Sequence, residues 1–381
     1  MDTLGLYIHV PFCKSKCRYC DFCSFPAPKP PRIEAYLDAL CREIEAYGKK
    51  EHPYHTDASS RLVDTVYFGG GTPTLLTPSA LARVMETLKR VFRVAEIAEI
   101  TAECNPATAD LEYFRALRAI GFNRLSIGAQ SMQNDELKRL GRLHTADDVR
   151  KTVADAREAG FDNVSLDLMF GIPEQTEKSL ADTLAAALAL SPDHLSVYGL
   201  QIEEGTYFYR HKDELPLPDE ETERAMYMQA VDTLAAHGLP QYEISNFARL
   251  GFESRHNLRY WKRQDYIGLG LAAHSCMGDL RFANTEDLDR YLSGDRKESE
   301  ERISPHDIVA ERVMLGMRLA EGVDFSALIR RHGDEAIRYR DALASYAAHG
   351  LVKKDGDSIA FTKDGSYVSN AILADVLDFE K

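Results

Sequence analysis

Up to about residue 200 the chain alternates short apolar strands with amphipathic helices, and this alternation restricts the possible folds more than any other feature. Strands are expected over Leu4–Val10, Val63–Phe68, Glu99–Cys104, Arg124–Gln130, Asn163–Phe170 and His194–Leu200. Helices are expected between them over Ile33–Tyr47, Ser79–Val91, Leu111–Ile120, Ala146–Ala159 and Leu180–Leu190. Thr77 followed by Pro78 marks a capped helix start, and Gly121 and Gly160 stand where a helix end takes a left-handed residue. Six βα repeats predict a parallel sheet with right-handed crossovers, either doubly wound or curled into a barrel. A complete eight-unit barrel takes about 250 residues, more than this regular stretch provides. Polar residues recur at the C-terminal ends of successive strands, and a barrel gathers those ends round one mouth. The expected fold is α/β, a partial (βα)6 TIM-like barrel.

Residues 1–215 are assigned to that barrel, residues 216–300 to an irregular extension rich in aromatics and turns, and residues 301–381 to a small C-terminal domain. The last begins with a helical block from Ser304 to about Leu328, and a second helix near Glu335–His349 ends at Gly350. Leu351–Lys353 and Ser358–Phe361 flank Asp355-Gly356-Asp357 as a hairpin, followed by a helix near 364–377. The pattern is a winged-helix-like α+β domain. Such domains often bind DNA, but residues 301–381 carry 11 Lys and Arg against 14 Asp and Glu, the wrong balance for a phosphate backbone.

The same argument extends to the whole chain, whose 46 basic and 60 acidic side chains give a formal charge of −14 and exclude a nucleic-acid partner. No apolar run reaches the roughly 20 residues of a membrane-spanning helix, and no signal peptide opens the sequence. A soluble, cytoplasmic protein with reduced thiols is expected.

Those thiols include a dense group. Cys13, Cys17 and Cys20 stand in Cys-Lys-Ser-Lys-Cys-Arg-Tyr-Cys, on the loop leaving the first strand. Three thiolates on one turn can grip a single metal centre. Disulfides are disfavoured by the odd count of seven cysteines and the absent signal peptide. A closed zinc site takes four ligands, so Cys23 would have to complete it, and no second C-x-x-C pair exists. A 4Fe–4S cluster offers one ligand position per iron, and three cysteines leave one iron open. Lys and Arg in the loop favour thiolate. The cluster is the preferred reading; Cys23, Cys41, Cys104 and Cys276 are read as structural.

Gly69-Gly70-Gly71-Thr72-Pro73 follows the second strand directly, and its glycines would let backbone N–H groups approach a ligand. Neither the Rossmann nor the P-loop spacing is present. Glu103 closes the third strand, Gln130 the fourth, and Asp167 lies within the fifth, with Arg142 in Leu-Gly-Arg-Leu-His. Each alone reads as a solvated strand-end residue. Their recurrence at successive strand ends favours one shared ligand, because buried polar groups need partners.

The CxxxCxxC spacing followed by a glycine motif resembles the radical S-adenosylmethionine (SAM) superfamily, in which SAM's amino and carboxylate groups take the open iron. The resemblance extends to the oxygen-independent coproporphyrinogen III oxidase family, in particular its heme chaperone branch. It rests on Tyr-Ile-His-Val-Pro-Phe-Cys at Tyr7–Cys13, Gly-Gly-Gly-Thr-Pro-Thr at Gly69–Thr74, Glu103-Cys104-Asn105-Pro106, Ser-Ile-Gly-Ala-Gln-Ser at Ser126–Ser131, Gly141-Arg142-Leu143-His144 and Asp-Leu-Met-Phe-Gly-Ile-Pro at Asp167–Pro173. By this resemblance Cys13, Cys17 and Cys20 hold the 4Fe–4S cluster, and Tyr7, Tyr19, Gly70, Gly71, Thr72, Glu103, Gln130, Arg142, Asp167 and Gln201 line the SAM site.

Departures from the decarboxylating enzymes point to the chaperone branch. The first strand starts at residue 4, where those enzymes carry a longer N-terminal segment; Phe22 stands where they place a fourth cysteine. His256-Asn257-Leu258-Arg259-Tyr260-Trp261 resembles the HNxxYW motif of the chaperones, and heme needs an axial ligand and an aromatic wall. His256, Tyr260 and Trp261 are the candidate heme contacts, with His274 second; the plainer reading of His256 is a hydrogen-bonded structural residue. The implied function is a heme chaperone with heme as cargo, an acceptor protein as partner, a reductant for the cluster, and room for a transient contact with a membrane protein. The alternative is radical oxidative decarboxylation of coproporphyrinogen III in porphyrin biosynthesis.

Overall fold

The structure, a computed structural model, describes residues 3–26, 28–49, 51–52, 54 and 57–379. Six strands, β1 (Leu4–Val10), β2 (Leu62–Gly70), β3 (Arg93–Cys104), β4 (Arg124–Gln130), β5 (Asn163–Phe170) and β6 (His194–Gly199), pair in chain order and all run parallel. Helices Pro30–Lys49, Pro78–Val91, Leu111–Ile120, Ala146–Glu158 and Glu177–Leu188 connect them. The expected boundary signals operate. Thr77 accepts a hydrogen bond from the Ala80 N–H at 3.2 Å with Pro78 at the first helical position, and Gly121 ends its helix with φ 114°.

Strand parity sorts the side chains. Leu6, Ile8, Val66, Phe68, Ile100, Ala102, Leu125, Ile127, Val164, Leu166, Leu168, Leu195 and Val197 join one core with the helices. Each such Leu, Ile, Val or Phe contributes about 1.5–3 kcal/mol through burial. The alternate positions point into the barrel, and they are polar: Thr65, Thr101, Glu103, Arg124, Ser126, Ser165, Asp167, His194 and Ser196. Parallel strands buried on both faces are usually apolar throughout. A polar lumen is therefore a departure that a ligand site explains.

Residues 216–300 are more regular than the sequence suggests. Helix Glu220–Ala236 leads to a hairpin of Gln241–Glu243 and Asn246–Ala248, which adds antiparallel to β6. After helix Arg255–Trp261, strand Tyr266–Leu269 pairs parallel with the opposite edge of the sheet, at β1, and antiparallel strands His274–Met277, Leu280–Asn284 and Lys297–Arg302 follow. The strands are short and joined by tight turns, so no window is long enough to show a period. Helix Arg255–Trp261 closes the N-terminal end of the barrel: the Arg255 and His256 N–H groups donate to Glu99 at 3.1 Å each, and Arg259 pairs with Asp64.

Residues 303–379 have their own core of Val309, Val313, Phe325, Tyr339, Leu343, Ile359 and Phe361. Strands Val323–Asp324, Ser358–Phe361 and Val352–Asp355 form a three-stranded antiparallel sheet beside helices Pro305–Gly316, Phe325–His332 and Asp334–Ser345. The helical block expected from Ser304 to Leu328 is thus interrupted, because Gly322 (φ 69°) turns the chain into a strand before the next helix. Lys363–Asp232 (2.7 Å) and a buried Arg263–Glu311 pair (2.8 Å) join this unit to the barrel.

Candidate functional site

The C-terminal strand ends open into a cavity of about 490 Å³. Cys13, Cys17, Cys20, Tyr19, Gly70, Gly71, Thr72, Glu103, Gln130, Arg142, Asp167 and Gln201 all line it, so residues spread over nearly 190 positions meet at one mouth. Tyr7 stands beside the wall: its hydroxyl meets His9 Nδ1 at 3.1 Å and its ring stacks on Tyr67 at 6.2 Å. His9 Nε2 meets the Cys23 carbonyl at 2.9 Å. A carbonyl only accepts, so His9 carries its proton on Nε2 and Tyr7 donates to Nδ1.

The cysteine loop is fixed by the glycine turn. The Gly71 and Thr72 N–H groups donate to the Val10 and Phe12 carbonyls at 2.8 Å each, and the Gly70 N–H donates to Glu103 at 3.1 Å. These N–H groups, expected to approach a ligand, are instead all engaged within the protein. A ligand ammonium, being a donor, would instead be met by carbonyl oxygens. Gly70 has φ 108°, and a Cβ on Gly71 would come within 2.6 Å of the Phe12 carbonyl oxygen.

The three thiols fit a cluster better than a single ion. Among the described residues no three His, Cys, Asp or Glu side chains converge closely enough to bind one metal ion, whereas a 4Fe–4S cluster takes each thiolate on a separate iron. Donors already face the sulfurs: Thr72 Oγ1 to Cys13 at 3.6 Å, and Arg142 Nη1 to Cys17 at 3.4 Å. Such contacts stabilise metal-bound thiolate. Burial first, then the neighbouring thiols, pushes Cys20 up to about 11, against the thiolate expected from the basic loop, so a metal centre has to displace the Cys20 proton.

Behind the loop stand two half-buried carboxylates. Glu103 accepts from Tyr67 at 2.9 Å and from Gly70, yet burial raises it to about 7. Asp167 accepts from Ser126 at 3.0 Å and Ser196 at 2.8 Å, and is also raised by burial. Arg142 reaches Asn105 at 2.5 Å and the Gly128 carbonyl at 2.7 Å. Gln130 adopts φ 66° at a register shift between β4 and β5, and Tyr198 donates to it at 3.2 Å. Strain of this kind concentrates at functional positions. Tyr19 packs with Leu140, Met169, Leu200 and Phe208 into an apolar wall, and Gln201 lies exposed at the rim. The site thus offers soft ligands, two carboxylates for cationic or hydroxyl groups, and one apolar wall.

Glu103 yields a pH prediction. Its acid is weaker folded than unfolded, where the ordinary value is 4.5, so native stability falls as pH rises from 4.5 towards about 7. Near pH 8 ligand-free Glu103→Gln should exceed the parent by on the order of 2–3 kcal/mol in chemical denaturation, and the gain should vanish below about pH 4.5. An equal gain at both pH values would contradict the desolvated-carboxylate account.

His256, Tyr260 and Trp261 fall outside the residues lining the cavity. His256 is 1% exposed; its Nδ1 meets Thr65 at 2.9 Å and its Nε2 meets Tyr260 at 2.8 Å. Burial, then the Arg259 charge, lowers it to about 3. Both ring nitrogens are occupied, so the folded protein offers no His256 nitrogen to an iron, and the structural reading weighed above fits better. His274 is exposed, also outside the cavity lining. Their neighbour Asn257 does line it, together with Tyr67, Asn105, Arg124, Ser126, Ser196, Tyr198 and Asn246; Asn105, Ser126 and Asn257 stand inside the quoted motifs, but none of the eight was given a role in the site. The signal available was parity: Arg124, Ser126, Gly128 and Gln130 alternate with Leu125, Ile127 and Ala129.

Comparison with known proteins agrees with this geometry. Residues 7–187 match the Radical SAM superfamily and residues 303–368 the HemN C-terminal domain. The chain is 35% identical to heme chaperone HemW of Bacillus subtilis, over 96% of this chain and 97% of that protein. It is 34% identical to heme chaperone HemW of Escherichia coli, over 98% of each. Among solved structures, coproporphyrinogen III oxidase (HemN) of Escherichia coli, a radical SAM enzyme, superimposes with a TM-score of 0.84 at 26% identity, over 98% of this chain and 89% of that one.

Proposed function

The chain belongs to the heme chaperone HemW family within the radical SAM superfamily, and from that membership we propose that it binds heme and delivers it to an acceptor protein, carrying a 4Fe–4S cluster and SAM. The observation that carries the reading is that helix Arg255–Trp261, with its His-Asn-Leu-Arg-Tyr-Trp motif, closes the barrel and sends Asn257 into the cavity that the three cysteines line. One cavity therefore joins the cluster loop to the feature that resembles the chaperone branch. Cys13, Cys17 and Cys20 would hold the cluster, with Thr72 and Arg142 donating to its sulfurs. Glu103 and Asp167 would take SAM's ammonium and ribose hydroxyls, and Tyr19 would face the adenine. A cluster held there would supply the one-electron reduction of SAM's sulfonium, which no side chain of this protein can provide. Among the described residues no helix is long and apolar enough to cross a membrane, which fits a cytoplasmic carrier.

The test is hemin titration of anaerobically reconstituted protein, followed in the Soret band. Stoichiometric binding without coproporphyrinogen III consumption is expected. His256→Ala should leave the Soret position unchanged while lowering stability by about 1–3 kcal/mol through the unpaired Thr65 and Tyr260 hydroxyls. A changed Soret position would restore His256 as iron ligand. The second reading, oxygen-independent coproporphyrinogen III dehydrogenase, draws on the match to HemN over 98% of this chain; porphyrinogen turnover with SAM and reductant, without specific heme binding, would establish it instead.

A further inference from the structure

The lumen below the cofactor residues contains a charge that the proposed SAM site leaves unused. Arg124 opens β4, is 1% exposed, lines the cavity, and its Nε has no hydrogen-bond partner. A buried guanidinium without its hydrogen bonds is costly, by about 1–3 kcal/mol or more for a charged group. Arg142, by contrast, is tied to Cys17, Asn105 and the Gly128 carbonyl. Asn246, on the hairpin strand beside β6, also lines the cavity, and its buried Oδ1 has no partner either. Asn257 reaches the same cavity from the closing helix. One guanidinium and two amides thus converge on a floor whose polar groups are incompletely matched by the protein.

We infer that this floor is a subsite for a carboxylate, with Arg124 as its anchor and Asn257 as a flanking amide, and that it receives a propionate of the heme cargo. The second half rests on the chaperone reading. The planar guanidinium fork matches a planar carboxylate, and paired charged hydrogen bonds are the strong kind. A phosphate dianion fits poorly, because Glu103 and Asp167 lie close enough for Arg124 to act on both through space. A monoanion held by one guanidinium balances that neighbourhood better. Filled cofactor contacts would strengthen the subsite, since SAM's ammonium would engage Glu103 and leave Arg124 less compensated.

The experiment compares hemin with hemin dimethyl ester, which lacks both carboxylates, on reconstituted full-length protein with SAM. Wild type should bind hemin about ten- to a hundredfold tighter than the ester. Arg124→Met should weaken hemin by a similar factor and barely change the ester, and Arg124→Lys should recover part of the loss. Thermal melts monitor folding of the variants, and the ester arm on wild type needs no variant at all. Equal binding of acid and ester by wild type, or wild-type hemin affinity in a folded Arg124→Met, would overturn the inference while leaving the chaperone reading standing. Failure of wild type to bind hemin would overturn both.

Discussion

Replacing any one of Cys13, Cys17 or Cys20 by Ala is expected to reduce cluster iron and sulfide to background after anaerobic reconstitution, whereas Cys23→Ala should keep nearly the full complement. Each thiolate serves one iron, and the loop has no spare ligand at the right place. Cys13 is buried against Thr72 and Cys17 lies under Arg142, so the turn after β2 and the turn after helix Asn134–Leu140 help to position these sulfurs. Cys23 lies beyond the loop, its carbonyl held by His9 and its sulfur 4.0 Å from the Glu286 carbonyl. Iron and acid-labile sulfide per chain measure the outcome. Equal loss in Cys23→Ala and Cys17→Ala would indicate four protein ligands and no open iron, and the SAM site would lose its basis.

Gly71→Ala should be nearly as damaging without touching a ligand. The added Cβ would meet the Phe12 oxygen at 2.6 Å and its nitrogen at 2.8 Å, and both are backbone atoms that cannot rotate aside. Either the strand end or the cysteine loop has to move. Overpacking of this kind costs about 1–3 kcal/mol, and here the displaced segment carries the Thr72 N–H to Phe12 hydrogen bond of 2.8 Å. The expected result is a lowered melting temperature together with several-fold less cluster retained. Gly48→Ala is the control, since it lies on helical backbone and its Cβ would meet Val91 at 3.4 Å, ordinary van der Waals contact. A Gly71→Ala protein with wild-type cluster content would show that the loop is not held by this turn.

Much of the fold was legible because it is encoded locally. Strand β4 and helix Leu111–Ile120 have the bounds their apolar spacing indicates, and capping by Thr77 and Gly121 needs only neighbouring residues. The cysteine triad and the glycine turn were legible for the same reason, since each group lies within one short segment. Residues 216–300 were not, because strand Tyr266–Leu269 acquires its place only by pairing with β1, about 260 positions earlier. The interruption at Gly322 was missed because its neighbours continue an apolar helical pattern on either side.

The site divides along the same line. The close-set trio of thiols, the glycine turn and the strand carboxylates Glu103 and Asp167 were readable from residue type and spacing alone. Three things depend on the assembled fold: that the turn's N–H groups are engaged by Glu103, Val10 and Phe12, that His256 has both nitrogens engaged, and that Arg124 faces the lumen without a hydrogen bond to its Nε. The physical reason is that hydrogen-bond satisfaction belongs to pairs of residues. Thr65 with His256 and Gly71 with Val10 meet across strands and helices remote in sequence, and neither member alone shows whether its partner is there.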